Sequence, residues 1–382
     1  MNSETLVPAC ADAAGARAYI AQRGQDFPAG HYSDFRETGI ALSSLGIGSF
    51  PGTASDSTDR NIADIVARAL QGGINVIDTA THYRYGRSPR AVGAGVRAAL
   101  AAGVPREAMF IISKGGFLLF DGGPPSGFTS WFRREILAKG LGKRDDIAAK
   151  THLLTPEYIH YQIDRSREAL GVATLDAFLI DQPEVHIPEF GKQETLRRLA
   201  TVFVALEQAA QAGKLNYYGV SSFHAFRAHT DDKFYMSLAA LIALAEQAAR
   251  EVTGAGAAHR FALVQFPFNS VMLEAFARFN QVTGQGNEAS TMQAALQLKL
   301  FTMASHTLFK GHLAKQSIDV VAQTLPAMAN PAQRAIQFNR STPGLGTALV
   351  GMSTPAHLDD LLAVARAPLL SRQGYLGMYE KA

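Results

Sequence analysis

The sequence is dominated by eight short apolar runs, each followed by a segment of helical periodicity. The first run lies within residues 39–50, and the others lie at 74–78, 109–113, 175–180, 215–220, 260–266, 299–305 and 346–351. Helices are predicted near residues 59–71, 89–101, 156–170, 195–211, 234–250, 289–298, 331–340 and 355–366. Apolar runs that alternate with helices are typical of strands buried on both faces of a parallel sheet.

Such a sheet is either open and doubly wound or closed into a barrel. An open nucleotide-binding sheet usually has a glycine-rich phosphate turn after an early strand. The first run here ends in LGIGSFPG, which lacks the full spacing and is not followed promptly by a helix. The sequence therefore predicts an α/β fold, a (β/α)8 TIM barrel, with its site at the carboxyl ends of the strands.

The chain divides into three segments of different character. Residues 1–38 are predicted to be an N-terminal extension, part helix and part loop, residues 39–370 the barrel catalytic domain, and residues 371–382 a C-terminal tail. Residues 39–50 are expected to form a short strand pair that opens the barrel. Residues 115–154, rich in Gly and Pro, are predicted to form a long functional insertion after the third strand, with one short helix.

The composition limits the partners of the chain. Its 36 Lys and Arg nearly balance its 33 Asp and Glu, so the net charge gives no reason to expect nucleic acid. No apolar run approaches the roughly 20 residues that span a bilayer, and the N-terminus lacks the basic start and apolar block of a secretory signal. Cys10 is the only cysteine, which favours a reducing compartment. We expect a cytoplasmic protein with a small-molecule substrate and without a membrane or metal site.

Four polar residues stand at or just beyond strand ends: Asp78, Tyr83, Lys114 and Asp181. Neighbouring strand ends of a parallel barrel bring such side chains together at one mouth. The set suits transfer of a proton to a carbonyl oxygen while a hydride reaches the carbon. Free tyrosine has a pKa of about 10, which a nearby Lys114 ammonium is expected to lower while Asp78 orients the lysine. Taken singly, each residue could instead cap a loop, pack at the rim or form a structural ion pair.

With these motifs the sequence resembles the aldo-keto reductases. The resemblance rests on GINVIDTATHYRYGRSPRAVG, ISKGG, LNYYGVSSF, VQFPFN and TALVGMSTPAHLDDLL, in family order from about residue 35 to the last helix. The chain is most similar to a bacterial branch with DTAxxYRxxRSER and ATKGG motifs. The resemblance implies a (β/α)8 barrel, reduction of a carbonyl by NAD(P)H, and catalytic positions at Asp78, Tyr83 and Lys114.

The fourth catalytic position departs from the family. The family usually has His there, in phrases like LLHNPE, whereas this chain has LIDQPE with Asp181. A neutral imidazole donates a hydrogen bond to a carbonyl oxygen, but an ionised carboxylate cannot. Asp181 can help only while protonated, as does the Glu at this position in the family's steroid double-bond reductases, which polarises an enone. His186, five residues on, is an alternative source of imidazole, although it is predicted to be an exposed loop residue.

The resemblance also implies a set of cofactor contacts. NADPH is the expected cofactor, with NADH not excluded, because His357 stands where an Arg usually binds the 2′-phosphate. Gln265 matches a residue that holds the nicotinamide carboxamide, and its alternative role is to satisfy loop backbone groups. The matched positions are Ser221, Ser222, Gln265, Ser305, Gly351, Met352, Ser353, His357 and Asp360.

Three functions fit these residues. The first is an NAD(P)H-dependent reductase of a carbonyl or a conjugated enone. The second is a non-redox barrel enzyme that uses Tyr83 and Asp181 as acid and base for dehydration or cyclisation. The third is a nucleotide-binding protein that has lost reductase activity. It would be favoured by the altered His and Arg positions and by Asp360-Leu361, which replaces the Glu-Asn that the resemblance leads us to expect.

The insertion contributes four further candidates. Aromatic and apolar loop residues above a barrel mouth can shape a hydrophobic substrate pocket, or they can anchor the loop to the barrel. The sequence leaves both roles open for Phe117, Leu118, Phe120 and Trp131.

Overall fold

The computed structural model describes residues 6–283 and 286–380. Eight parallel strands within these ranges close into a barrel in sequential order. The strands are β1 Leu45–Gly48, β2 Val76–Asp78, β3 Phe110–Gly115, β4 Leu175–Asp181, β5 Leu215–Ser221, β6 Phe261–Pro267, β7 Phe301–Ser305 and β8 Thr347–Gly351. The ring closes because β8 pairs in parallel with β1. The prediction of a (β/α)8 barrel is confirmed.

One principal helix follows each strand. The helices are α1 Asp56–Gln71, α2 Arg87–Ala101, α3 Pro156–Leu170, α4 Ile187–Gln211, α5 Leu238–Thr253, α6 Thr291–Gln297, α7 Pro331–Arg340 and α8 Ala356–Arg366. Local sequence explains their starts: the Thr155 hydroxyl accepts from Tyr158 N, for example, and Pro156 occupies the first turn of α3. None of the helices in the described ranges is both long and apolar enough to cross a membrane.

Five helix starts differ by two or more residues from those predicted. Helix α1 begins at Asp56 and α2 at Arg87, three and two residues before the predicted positions. Helix α4 begins at Ile187 rather than near residue 195, and non-helical Gly191 interrupts it at φ 78°. Helix α5 begins at Leu238 rather than near 234, because the preceding serine hydroxyl caps it. Helix α6 begins two residues later than predicted, because Ser290 and Gln293 form a capping box there.

The strand pair predicted for residues 39–50 is only half in the barrel. Ala41–Ser43 pairs antiparallel with Tyr32–Asp34 to form a hairpin outside the barrel, and only β1 joins the ring. The extension also contains a helix, Ala13–Arg23. The proposed boundaries 1–38, 39–370 and 371–382 remain predictions, and residues 1–5 and 381–382 lie outside the described residues.

The hairpin loop closes the amino-terminal end of the barrel. Phe35 lies in this loop, is fully buried, and packs against the rings of Phe110, Tyr217 and Phe301 at centroid distances of 5.0, 4.9 and 5.3 Å. Because aromatic side chains fill this end, a ligand can approach only from the carboxyl ends of the strands, where the predicted site residues lie.

The insertion packs on α3 around a small core of its own. Leu118, Phe120 and Trp131 belong to this core, with the Phe120 and Trp131 rings 4.7 Å apart. The predicted short helix is present as Phe128–Phe132 and continues into one π-helical segment. These three side chains therefore anchor the insertion, whereas Phe117 contacts a side chain at the barrel mouth.

Candidate active site

A buried ion pair joins the carboxyl ends of β2 and β3. The fully buried Lys114 Nζ donates to the two carboxylate oxygens of Asp78 at 2.7 and 2.6 Å and to the Thr79 carbonyl at 2.9 Å. Gln265 Nε2, from β6, donates to Asp78 Oδ1 at 3.0 Å. Since all three ammonium hydrogens have acceptors, the lysine is held in one position.

Tyr83 lies on the loop after β2, close to this ion pair. Lys114 Nζ is 4.9 Å from the centroid of the Tyr83 ring. Burial raises the pKa of the Tyr83 hydroxyl well above its usual value of 10, and the carboxyls of Asp181 and Asp78 raise it further. The expected lowering by Lys114 is therefore wrong as a net effect, because burial dominates. Tyr83 keeps its proton at neutral pH, which suits a proton donor.

Asp181 ends β4 and is 4% exposed. Burial raises the pKa of its carboxyl to about 7, against the lowering effect of Lys114, and Asp78 raises it further. Of these opposing influences on the carboxyl, burial prevails. A large share of Asp181 therefore carries a proton near neutral pH and can donate a hydrogen bond.

Two residues at the mouth were not predicted. His82 Nε2 lies 3.9 Å from Asp181 Oδ2, and the His82 ring packs on Tyr83 with 4.9 Å between centroids. Phe50, just beyond β1, is 65% exposed, and its ring meets Tyr83 edge-on at 5.0 Å. The available signal was position, because His82 directly precedes Tyr83 in DTATHY and Phe50 follows a strand end.

The prediction that His186 is an exposed loop residue was wrong. His186 is fully buried in the 3-10 turn Pro183–His186, and its Nε2 lies 3.0 Å from Nδ1 of His152 in the insertion. His152 Nε2 lies 2.7 Å from the Asp181 carbonyl oxygen. Burial lowers the pKa of His152 to about 4 and that of His186 to about 2, so both rings are neutral. The pair ties the insertion to the end of β4 and presents no imidazole at the mouth.

Ser221 and Gln265 lie side by side at the ends of β5 and β6. The Ser221 hydroxyl donates to Gln265 Oε1 at 3.1 Å, and both side chains are buried. Gln265 therefore bonds to side chains rather than to loop backbone groups. The Ser222 hydroxyl donates to Glu184 Oε1 at 2.7 Å and accepts from Ala225 N at 2.7 Å, so it also stabilises the turn after β5.

The segment from β8 into α8 presents exposed backbone. Gly351 and His357 are exposed, Ser353 is partly buried, and Met352 is buried. Helix α8 begins after Pro355 without a side-chain cap. The amides of His357 and Leu358 donate to the carbonyls of Thr354 and Pro355 at 3.2 and 3.0 Å, and the positive end of the helix dipole still favours an anion such as phosphate there. Ser221 on β5 and Gln265 on β6 could bind the carboxamide of a nicotinamide, and the start of α8 could bind a phosphate. The residues therefore fit a nicotinamide nucleotide.

The two remaining predicted contacts have structural partners. Asp360 Oδ1 accepts from Asn330 Nδ2 at 2.9 Å and from Gln333 Nε2 at 2.8 Å, which ties α8 to the start of α7. Ser305 ends β7, with its hydroxyl 3.4 Å from His306 Nδ1. Among the described residues, no group of three or more His, Cys, Asp or Glu side chains is placed to hold a metal ion.

The fold and the geometry of its mouth define a class: a (β/α)8 barrel with a buried Lys–Asp ion pair, a protonated tyrosine and a buried carboxyl at the carboxyl ends of its strands. The model of the Aldo/keto reductase family matches residues 44–374, and the chain belongs to this family. The resemblance and the predicted enzyme class, an NAD(P)H-dependent oxidoreductase of the aldo-keto reductase type, are thereby confirmed.

The individual relatives share a low sequence identity with this chain. The NADH-specific methylglyoxal reductase of Escherichia coli (strain K12) is 27% identical over 193 residues, covering 49% of this chain and 51% of that protein, so the match spans about half the length of the relative. A Klebsiella pneumoniae aldo/keto reductase in complex with NADP and acetate aligns with a TM-score of 0.57 at 17% identity, covering 92% of this chain and 95% of that one. A Bacillus halodurans aldo-keto reductase in its holo form gives a TM-score of 0.60 at 15% identity, covering 92% and 96%. These structural likenesses support the fold.

Proposed function

We propose that the protein uses NAD(P)H to reduce a conjugated enone or a carbonyl of a small organic molecule in the cytoplasm. The observation that carries this proposal is the state of Asp181, a buried carboxyl beside Tyr83 with its pKa raised to about 7. A protonated acid at this position donates a hydrogen bond to an oxygen on which negative charge develops.

Each residue of the mouth has a defined part in this reaction. A bound reduced nicotinamide would supply the hydride to the substrate carbon. The Tyr83 hydroxyl, which is protonated at neutral pH, supplies the proton. Lys114, held by Asp78, keeps a positive charge beside the Tyr83 ring while the hydroxyl loses its proton. The Asp181 carboxyl donates to the substrate oxygen.

The nucleotide would lie between the strand ends and α8. Ser221 and Gln265 are the proposed partners of the nicotinamide carboxamide, because they are paired and buried at neighbouring strand ends. Ser353 and His357 flank the uncapped start of α8, where a phosphate of the nucleotide would be bound.

An enone is the favoured substrate because a strong donor suffices to stabilise the enolate oxygen formed when hydride reaches the β-carbon. A small carbonyl compound is the second candidate. The relative from E. coli is named a methylglyoxal reductase, which supports this second possibility.

Replacement of Asp181 tests the substrate class. Asp181→His should raise the reduction of a plain aldehyde and lower the reduction of an enone double bond, because a neutral imidazole replaces the stronger carboxylic acid donor. We expect the ratio of the two kcat/KM values to change by about 10²-fold, the usual effect of one oxyanion donor. The measurement is steady-state kinetics on both substrates, with the products identified.

Asp181→Asn is the matched control, because it keeps the shape of the side chain and removes its titration. Wild-type enone reduction should fall as the pH rises through about 7, since the carboxyl then loses the proton it must donate. The Asn variant should lack this inflection. If neither rate moves in Asp181→His, Asp181 caps a loop and the proposed role is refuted.

The nucleotide preference depends on His357. We expect weak discrimination between NADPH and NADH, because His357 offers the 2′-phosphate neither the permanent charge nor the bidentate geometry of an Arg. His357→Arg should tighten NADPH binding by about tenfold, through a permanent charge and bidentate geometry. Fluorescence titration of both nucleotides into the wild type and the variant measures this.

Gln22 is exposed on the N-terminal helix, which contacts the end of α1 through the Tyr19 hydroxyl. Gln22→Arg adds the same charge at the end of the barrel opposite the start of α8 and should leave both affinities unchanged. A strong preference of the wild type for NADPH would show that another basic residue binds the 2′-phosphate.

The two competing functions predict different results in the same assay. Binding of NAD(P)H without oxidation by any carbonyl or enone would favour a nucleotide-binding protein that has lost reductase activity. Conversion of a substrate without consumption of NAD(P)H would favour a non-redox enzyme. Nucleotide oxidation that matches product formation supports the reductase.

A further inference from the structure

His82 is held at the mouth by aromatic contacts on two sides. Its ring lies edge-on to Tyr83 and tilted against Phe117, each at 4.9 Å between centroids. The side chain is 20% exposed, which leaves an edge open toward the site. These contacts fix the plane of the ring beside the proposed proton donor.

Neither nitrogen of His82 has a hydrogen-bond partner within residues 6–283 and 286–380. Nδ1 is buried and has no partner among the residues that the structure describes. Nε2 lies 3.9 Å from Asp181 Oδ2, which is longer than a hydrogen bond. An N–H buried without an acceptor is rarer than an unpaired acceptor, so the neutral ring should carry its proton on Nε2.

The ring stays neutral through the working pH range. Burial lowers the pKa of His82 to about 3, and the nearby Lys114 ammonium lowers it further. A neutral imidazole with its proton on Nε2 is the donor that the aldo-keto reductase resemblance expected at the position of Asp181. Here such a donor stands on the loop after β2.

We infer that His82 donates its Nε2 hydrogen to the substrate oxygen, and that His82 and Asp181 bind this oxygen from two sides. An oxygen about 2.8 Å from both Nε2 and Asp181 Oδ2 would see the two atoms roughly 90° apart, within the broad angular range of a carbonyl acceptor. The gap of 3.9 Å is therefore too wide for a direct bond and suits one shared oxygen atom. This inference rests on the proposed function.

Three variants of His82 separate donation from packing. His82→Phe keeps the aromatic contacts with Tyr83 and Phe117 and removes both nitrogens. His82→Gln can place an amide N–H near the position of Nε2, whereas the shorter His82→Asn can place it only near Nδ1. We expect kcat to fall by about 10²-fold in the Phe and Asn variants, with NADPH affinity unchanged, and to recover at least tenfold in the Gln variant.

A binding measurement tests the oxygen site without turnover. Acetate, whose carboxylate oxygen stands in for the charged substrate oxygen, is titrated at pH 6 into the protein with and without NADP. We expect saturable binding that weakens about tenfold in His82→Phe and is partly restored in His82→Gln.

The two measurements distinguish failure of this inference from failure of the proposed function. If wild type does not oxidise NAD(P)H but acetate binding depends on His82, the reductase proposal fails and the His82 donor stands. If His82→Phe turns over within twofold of wild type, or binds acetate equally well, His82 only packs at the rim. Absence of saturable acetate binding to wild type would also overturn the inference.

Discussion

Tyr83→Phe is expected to lower turnover by about 10²–10⁴-fold, the usual contribution of a positioned general acid. The phenyl ring keeps the contacts with Phe50 and His82, so thermal stability and nucleotide affinity should change little. The hydroxyl alone is lost, and no proton reaches the product at this position. Steady-state reduction and nucleotide fluorescence, measured on the same preparations, give both quantities.

The same loop offers a matched control. Tyr85 lies two residues further on and is 39% exposed. Tyr85→Phe also removes one tyrosine hydroxyl and should leave turnover within twofold of wild type. Unchanged turnover in Tyr83→Phe would refute the proposed mechanism, whereas equal losses in both variants would indicate a disturbed loop rather than a lost proton donor.

The barrel and its charged residues could be predicted because their signals are local. Each strand is a short apolar run followed by a helix, and closure of the ring follows from repetition of this unit. Asp78, Lys114 and Asp181 each end or nearly end such a run, so a parallel barrel must place them at one mouth. For these residues, position along the chain determines position in space.

Contacts between distant segments could not be predicted. His186 is buried because His152, 34 residues earlier, supplies a polar partner. Phe35 closes the amino-terminal end of the barrel through contacts with strands that lie far along the chain. Neither pairing follows the period of a strand or a helix, so an isolated His near Pro and Glu indicates only a loop residue.

The direction of the pKa shift of Tyr83 could not be predicted for a related reason. Sequence order showed that a lysine lies nearby, but not how deeply the hydroxyl is buried or that two carboxyls face it. Desolvation and carboxylate repulsion both oppose the tyrosinate and outweigh the ammonium. The sign of such a shift depends on burial, which only the folded chain determines.

Lys114→Met is expected to lower both stability and activity. It leaves the Asp78 carboxylate, 4% exposed, without its cation, and breaking a buried ion pair from one side costs about 3–5 kcal/mol in the free energy of unfolding. Turnover should also fall, because no positive charge remains beside Tyr83. Since Lys114 holds down the pKa of Asp181, residual activity should persist to higher pH than in wild type. Urea unfolding and a pH–rate profile measure these effects.

The double variant Asp78→Asn with Lys114→Met separates stability from chemistry. An amide at residue 78 carries no charge, and its oxygen can still accept the hydrogen bond that Gln265 donates to Asp78 Oδ1. Because the double variant leaves no unpaired charge at residue 78, it should recover most of the free energy of unfolding that Lys114→Met loses. Turnover should stay low, because the cation beside Tyr83 is still missing. A double variant that regained wild-type turnover would show that Lys114 stabilises the barrel mouth and takes no part in proton transfer.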